Sequence, residues 1–172
     1  MTKDEIMGIL PHRDDMLLLE EAELIDGVSR GKYHVRGDEW FLRGHFPGNP
    51  VVPGVILCEI LAQSACALLT DVASADDADV TANADDEDRA GNQASAGNAD
   101  NVKTSISTYY TGIDKARFKE PVRPGDTIET ECELTKVRKP FYFAKGSAKV
   151  GGKLCVSAEF SFAVVVEKSD EV

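Results

Sequence analysis

Fifteen consecutive residues, Val55 to Leu69, contain neither glycine nor proline and are apolar on nearly every side of a helical wheel, with Glu59, Gln63 and Ser64 as the main interruptions. A helix with no solvated face has to lie in the middle of something. Pro53 stands just before it, where the missing N–H of proline costs nothing. The rest of the chain must therefore supply a shell, and downstream the periodicity changes to two. Leu154, Val156, Ala158, Phe160, Phe162, Val164 and Val166 alternate with a more polar set, and Ile128, Thr130, Cys132 and Leu134 alternate with Glu129, Glu131 and Glu133. Strands with one apolar face cover a core on that face only. The simplest assembly is an α+β domain, a long antiparallel sheet of at least four strands curled around one apolar helix.

Turn chemistry punctuates that plan. Gly151-Gly152 joins two strand-like runs as a hairpin, Pro124-Gly125-Asp126 marks a second turn, and Lys139-Pro140 separates two further runs. Before the helix, Ile6 to Leu10 predicts a short helical turn stopped by Pro11, Val28 to Val35 has strand character, and Trp40 to Pro53 reads as an ordered loop. Residues Ala73 to Asn101 are almost wholly Ala, Asp, Asn, Gly and Ser, a composition that cannot bury enough surface to offset the entropy of ordering. We read residues 1–172 as a single domain with an acidic, disordered insertion at 73–101. The alternative, a linker between two domains, is weakened because neither flank looks self-sufficient.

The charge follows the same division. The chain carries a net −11, yet residues 71 to 100 alone hold nine acids and one base, so the acidity says little about partners of the folded part. No basic cluster with interleaved aromatics points to nucleic acid. No stretch reaches the roughly 20 apolar residues of a membrane span, and the first residues lack the apolar run of a secretory signal. The expectation is a soluble cytoplasmic protein. Cys58, Cys66, Cys132 and Cys155 form no C-x-x-C pair and sit in apolar contexts, which predicts buried thiols rather than a metal site or disulfides.

Chemistry concentrates between Gly44 and Gln63, G-H-F-P-G-N-P-V-V-P-G-V-I-L-C-E-I-L-A-Q. Pro47, Pro50 and Pro53 stiffen the approach to the helix, which suits a His45 held at a fixed place. Gly54, at the helix start, offers an unpaired N–H and the positive end of the helix dipole to a developing oxyanion. Glu59 and Gln63 are four residues apart and share a face. A carboxylate among Leu57, Cys58, Ile60 and Leu61 should be pushed toward its neutral form by desolvation and be able to donate a proton. The bland alternatives are a Glu59 that reaches solvent or pairs with a lysine, and a His45 that only caps or packs. His12 and His34 have no partner that residue order can name, so a packing or surface role is expected for both.

The stretch from Gly44 to Gln63 resembles the β-hydroxyacyl-ACP dehydratase family of the FabZ type. The similarity extends to L-P-H-R at Leu10 to Arg13, to T-G-I-D-K-A-R-F-K-E-P-V-R-P-G-D at Thr111 to Asp126, and to G-G-K-L-C-V-S-A-E-F in the closing strands. It departs after Arg13, where Asp14-Asp15-Met16 replaces the usual Y-P-F, and at the insertion. The resemblance implies the hot-dog fold, a sheet wrapped around a central helix. It implies dehydration of 3-hydroxyacyl-[acyl carrier protein] to the trans-2-enoyl thioester, with no metal or redox cofactor. His45 would be the base and Glu59 the proton donor, contributed by opposite chains of a homodimer, or of a trimer of dimers. Gly54 would hold the thioester carbonyl, Gln63 would support the carboxylate, and Tyr109 would gate the acyl tunnel, with Tyr110 beside it as the competing assignment. Lys115, Arg117, Lys119 and Arg123 form a basic run that either docks the acidic carrier or is merely solvated. Two other readings stand beside the dehydratase. One is a dehydratase/isomerase or CoA-thioester hydratase of the same fold, and Glu59 in place of Asp argues against the isomerase. The other is a non-catalytic acyl-thioester binder.

Overall fold

A computed structural model describes residues 1–70 and 104–168. The insertion expected at Ala73–Asn101 lies outside the described residues. The chain opens with α1 (Lys3–Ile9), then a hairpin of β1 (Glu21–Ile25) and β2 (Val28–His34), then the apolar helix α2 (Gly54–Ser64). Four longer strands follow, β3 (Thr104–Phe118), β4 (Thr127–Arg138), β5 (Phe141–Val150) and β6 (Lys153–Lys168). All six strands form one antiparallel sheet in the order β1-β2-β4-β5-β6-β3. The sheet wraps α2, which packs against β2, β4, β5 and β6. This is the helix-in-sheet arrangement expected from the apolar run and the period-two strands.

The helix is buried because its side chains leave no other option. Ile56, Leu57, Cys58, Ile60 and Leu61 are all in the core, where they meet Ile128 and Cys132 of β4, Tyr142 and Ala144 of β5, and Val156, Phe160 and Phe162 of β6. All four cysteines are buried and unpaired. A close approach fixes the far end of α2. A Cβ on Gly31 of β2 would stand 2.7 Å from Leu19 Cδ1, 2.9 Å from Thr130 Oγ1 and 3.0 Å from Ser64 Oγ. Only glycine lets the helix end and the N-terminal segment meet the sheet there. The polar groups brought in are satisfied, since Ser64 Oγ donates to Ile60 O at 2.7 Å and Ser29 Oγ donates to the Ser64 carbonyl.

Three elements differ from expectation. α1 begins three residues before Ile6, because Thr2 accepts from Glu5 N and Glu5 returns a bond to Thr2 N in a capping box. β1 was not foreseen. It is set by the Asp26-Gly27 turn, with both residues at positive φ. α2 ends at Ser64, tightens into a 3₁₀ turn at Ala65–Ala67, and α-helix resumes at residues 68–70, so the apolar run to Leu69 is helical with one interruption. The Gly151-Gly152 and Lys139-Pro140 turns do join β5 to β6 and β4 to β5. β3 is an edge strand with exposed Tyr109, Ile113 and Phe118.

Candidate active site

The loop before α2 holds His45 from both sides. His45 N–H donates to Leu42 O at 3.1 Å, and Val51 N–H donates to His45 O at 2.9 Å. The ring stacks on Phe46 with centroids 4.2 Å apart. Its Nδ1 is 2.9 Å from Val51 O. A carbonyl oxygen can only accept, so Nδ1 carries the hydrogen and the lone pair of the neutral ring sits on Nε2. The loop is braced by Arg123, whose guanidinium donates to Asn49 Oδ1 at 2.6 Å and lies 3.4 Å from Pro50 O. Val52 N–H donates to Val122 O at 2.8 Å.

Gly54 is the first residue of α2. Pro53 O accepts from Ile56 and Leu57 N–H, so the Gly54 and Val55 N–H groups belong to the first turn and have no acceptor within the helix. A Cβ at position 54 would stand 2.8 Å from the Phe118 ring. His45, Gly54, Val55, Phe118 and Lys119 line one open cavity of about 580 Å³.

Glu59 faces a different, tighter cavity of about 70 Å³, lined among others by His12, Gln63, Tyr110 and Phe162. The two cavities share no lining residue. Within one chain His45 and Glu59 therefore lie in separate cavities. Gln63 Nε2 donates to Glu59 Oε1 at 2.8 Å and to Met16 O at 2.8 Å, and Gln63 Oε1 accepts from Leu18 N at 2.8 Å. The amide thus ties α2 to the segment after Arg13.

Two expectations change here. His12 has a partner after all, because its Nε2 lies 3.3 Å from Glu59 Oε1. The carboxyl of Glu59 is not held neutral either. Burial pushes it up, but the contacts with His12 and Gln63 outweigh burial and leave it below the usual carboxylate range. Of the two tyrosines, Tyr110 is the one that enters the Glu59 cavity. Its hydroxyl donates to Cys58 O at 2.6 Å, and burial raises its ionisation far above the ordinary phenol. Tyr109 is 55% exposed on the other side of β3. Of the two, Tyr110 alone lines that cavity, because alternation along a strand sends neighbours to opposite faces.

The four residues of the basic run make different contacts. Lys115 Nζ is 2.8 Å from Glu159 Oε1 on the outer face of the sheet. Arg117 reaches Ala116 O at 2.9 Å, and Arg123 is engaged with the His45 loop. Lys119 alone borders the His45 cavity. His34 meets Thr127 Oγ1 at 3.2 Å and is remote from both cavities. Among the described residues no helix is long and apolar enough to cross a membrane, and no cluster of three or more His, Cys, Asp or Glu is placed to hold a metal.

Comparison with known proteins bears on this geometry. The chain is 37% identical over 166 residues to the 3-hydroxyacyl-[acyl-carrier-protein] dehydratase FabZ of Enterococcus faecalis, covering 95% of this chain and 98% of that protein. It is 36% identical to the FabZ of Caulobacter sp. strain K31, covering 95% of this chain and 85% of that one. The chain belongs to the FabZ family. Residues 10–89 also match the FabA-like domain. Among solved structures, the dehydratase heterocomplex ApeI:P from Xenorhabdus doucetiae has a similar fold, with a TM-score of 0.64 at 16% identity, covering 96% of this chain and 91% of that one. His12 belongs to the L-P-H-R stretch that the sequence resemblance includes. Its contact with Glu59 is not visible in residue order, because 46 residues lie between the two.

Proposed function

We propose that this FabZ-family chain removes water from 3-hydroxyacyl thioesters carried on acyl carrier protein, giving trans-2-enoyl thioesters for fatty-acid biosynthesis in the cytoplasm. The observation that carries this reading is the imidazole of His45. Its Nδ1 is committed to Val51 O, and it shares a cavity with the free N–H groups that begin α2. That arrangement presents a basic Nε2 beside an oxyanion-stabilising helix end.

The steps follow from those parts. With the thioester carbonyl held by the Gly54 N–H, negative charge developing on its oxygen is stabilised and the adjacent C–H becomes acidic. Nε2 of His45 takes that proton. The electron pair of the broken C–H bond becomes the C=C bond as the 3-hydroxyl leaves, and a proton relayed through Glu59 converts it to water. Because Glu59 opens into a different cavity of the same chain, the acid comes from a second copy, and the working unit is a homodimer at minimum. The exposed edge strand β3 and its apolar Tyr109, Ile113 and Phe118 support that assembly. Lys119, at the mouth of the His45 cavity, is the residue of the basic run best placed to meet an acidic carrier.

The test is turnover of 3-hydroxyacyl-[acyl carrier protein], followed by the appearance of the conjugated enoyl thioester with products separated by double-bond position. A trans-2 product alone is expected. Hydrolysis of the thioester, or binding without conversion by the wild-type chain, would overturn the reading.

A further inference from the structure

The ring of His12 is held in an unusual way. Its Nε2 lies 3.3 Å from Glu59 Oε1, while its Nδ1 is buried and has no hydrogen-bond partner among the described residues. A histidine placed only for packing satisfies both ring nitrogens or turns them to solvent, because an unmet buried polar atom costs free energy. Here the one polar contact of the side chain is the carboxylate.

The backbone that carries His12 is fixed independently. The Arg13 guanidinium donates to Leu10 O and His12 O, both at 2.7 Å, and to Met7 O at 3.0 Å. One side chain thus clamps the turn between α1 and the segment that Gln63 grips at Met16 and Leu18. Both His12 and Gln63 contact the same oxygen, Oε1 of Glu59. Oε2 is left for whatever enters the cavity.

We infer that His12 is the positioning residue and proton partner of Glu59, orienting the carboxylate through Oε1 and restoring the proton that Glu59 gives to the departing hydroxyl. This rests on the reading of Glu59 as proton donor. The proton count closes. The doubly protonated ring of His12 passes its Nε2 proton through Glu59 to the leaving oxygen and remains neutral with its hydrogen on Nδ1, solvent restores that proton once product has left, and His45 returns to solvent the proton it took from carbon. A carboxylate that His12 and Gln63 hold in its ionised form needs such a supply. The other titratable groups lining the cavity do not compete near neutral pH. Burial pushes the Cys66 thiol up to about 12 and raises the Tyr110 phenol beyond reach. The pair His12–Glu59 therefore holds the exchangeable proton of this half-site.

Substitution of His12 by Gln and by Ala tests the inference, with kcat and KM followed across pH on the full chain. His12→Gln keeps a donor near Oε1 but cannot carry a proton. The expected result is a kcat loss of at least about tenfold in both variants, within the range for acid–base groups, with KM nearly unchanged and the melting temperature of His12→Gln within a few degrees of wild type. The pH profile of kcat should also change in His12→Gln, because the amide carries no exchangeable proton to pass to Glu59. Full rescue by Gln, or an unmoved pH profile, overturns the proton-partner role. Glu59→Gln separates the two readings. If it is inactive while His12→Gln behaves as wild type, Glu59 stands and the inference about His12 falls. If Glu59→Gln is itself active, the reading of Glu59 fails and takes His12 with it. In the supported case, the double variant His12→Gln/Glu59→Gln is no slower than Glu59→Gln.

Discussion

The two cavities of this chain, one at the start of α2 and one along it, are built in opposite ways. The His45 half is open. A proline-braced loop, the bare first turn of α2 and an exposed Phe118 surround a cavity of about 580 Å³. The Glu59 half is tight, about 70 Å³, and its polar groups bond one another and the backbone of residues 10–18. On the proposed reading His45, as the base, must meet a substrate carbon directly, which suits its place in the open cavity. A carboxylate buried in an apolar helix has to be held by partners or it would neutralise. The open half is thus organised by backbone and the tight half by side chains, so damage to the two should look different.

The largest effect comes from removing the reacting groups. His45→Ala and Glu59→Gln should each lower kcat by about 10²–10⁴-fold, and the double variant should be little worse than the poorer single one. If each working site takes one half from each chain, mixing the two inactive variants with subunit exchange should restore roughly a quarter of wild-type activity per site. Verified exchange with activity still at background would place both residues in one chain's site and break the comparison.

Next in size is the organisation of the open half. Gly54→Ala puts a methyl 2.8 Å from the Phe118 ring and shifts the helix start from the substrate. A loss on the order of 10-fold to 10²-fold in kcat/KM is expected with little change in stability, and adding Phe118→Leu should recover part of it. A Gly54→Ala variant with normal turnover would remove the oxyanion role.

The tight half should respond in stability as well as in rate. Gln63→Leu leaves Leu18 N–H unpaired and Glu59 without its nearer donor, at about 1–3 kcal/mol for each unmet group. Thermal unfolding measures it. The pH dependence has a definite sign. The folded-state carboxyl of Glu59 lies below its ordinary value, so its contribution is present above the unfolded carboxyl range and is lost as pH falls through the folded value. Melting temperature plotted from pH 7 downward should therefore fall less in Glu59→Gln than in wild type.

The smallest effects lie on the surface. Lys115→Ala breaks an exposed pair with Glu159 and should change stability by less than about 1 kcal/mol. Lys119→Glu should raise KM for carrier-bound substrate, less so at high salt, and leave a short pantetheine thioester almost unaffected. Equal losses on both substrates would point to the cavity rather than to docking.

Much of this was legible in the chain itself. The apolar run at Val55–Leu69 required a surrounding shell, and the alternation in β4 and β6 supplied its faces, because periodicity is a local property that survives into the fold. The placement of His45, Gly54, Glu59 and Gln63 also followed from spacing, since all four lie on one loop–helix segment. What residue order could not decide was everything that depends on distant segments meeting. Tyr110 rather than Tyr109 enters the cavity because the pairing of β3 with β6 sets which face turns inward. Lys115 and Arg123 look alike in sequence, yet one pairs across the sheet and the other braces a loop. His12 reaches Glu59, and the carboxyl ends below rather than above its ordinary value, because tertiary packing brings His12 and Gln63 to Oε1. Desolvation can be estimated from neighbours in sequence, but a hydrogen bond depends on position to within a few tenths of an ångström, and only the closed fold sets that.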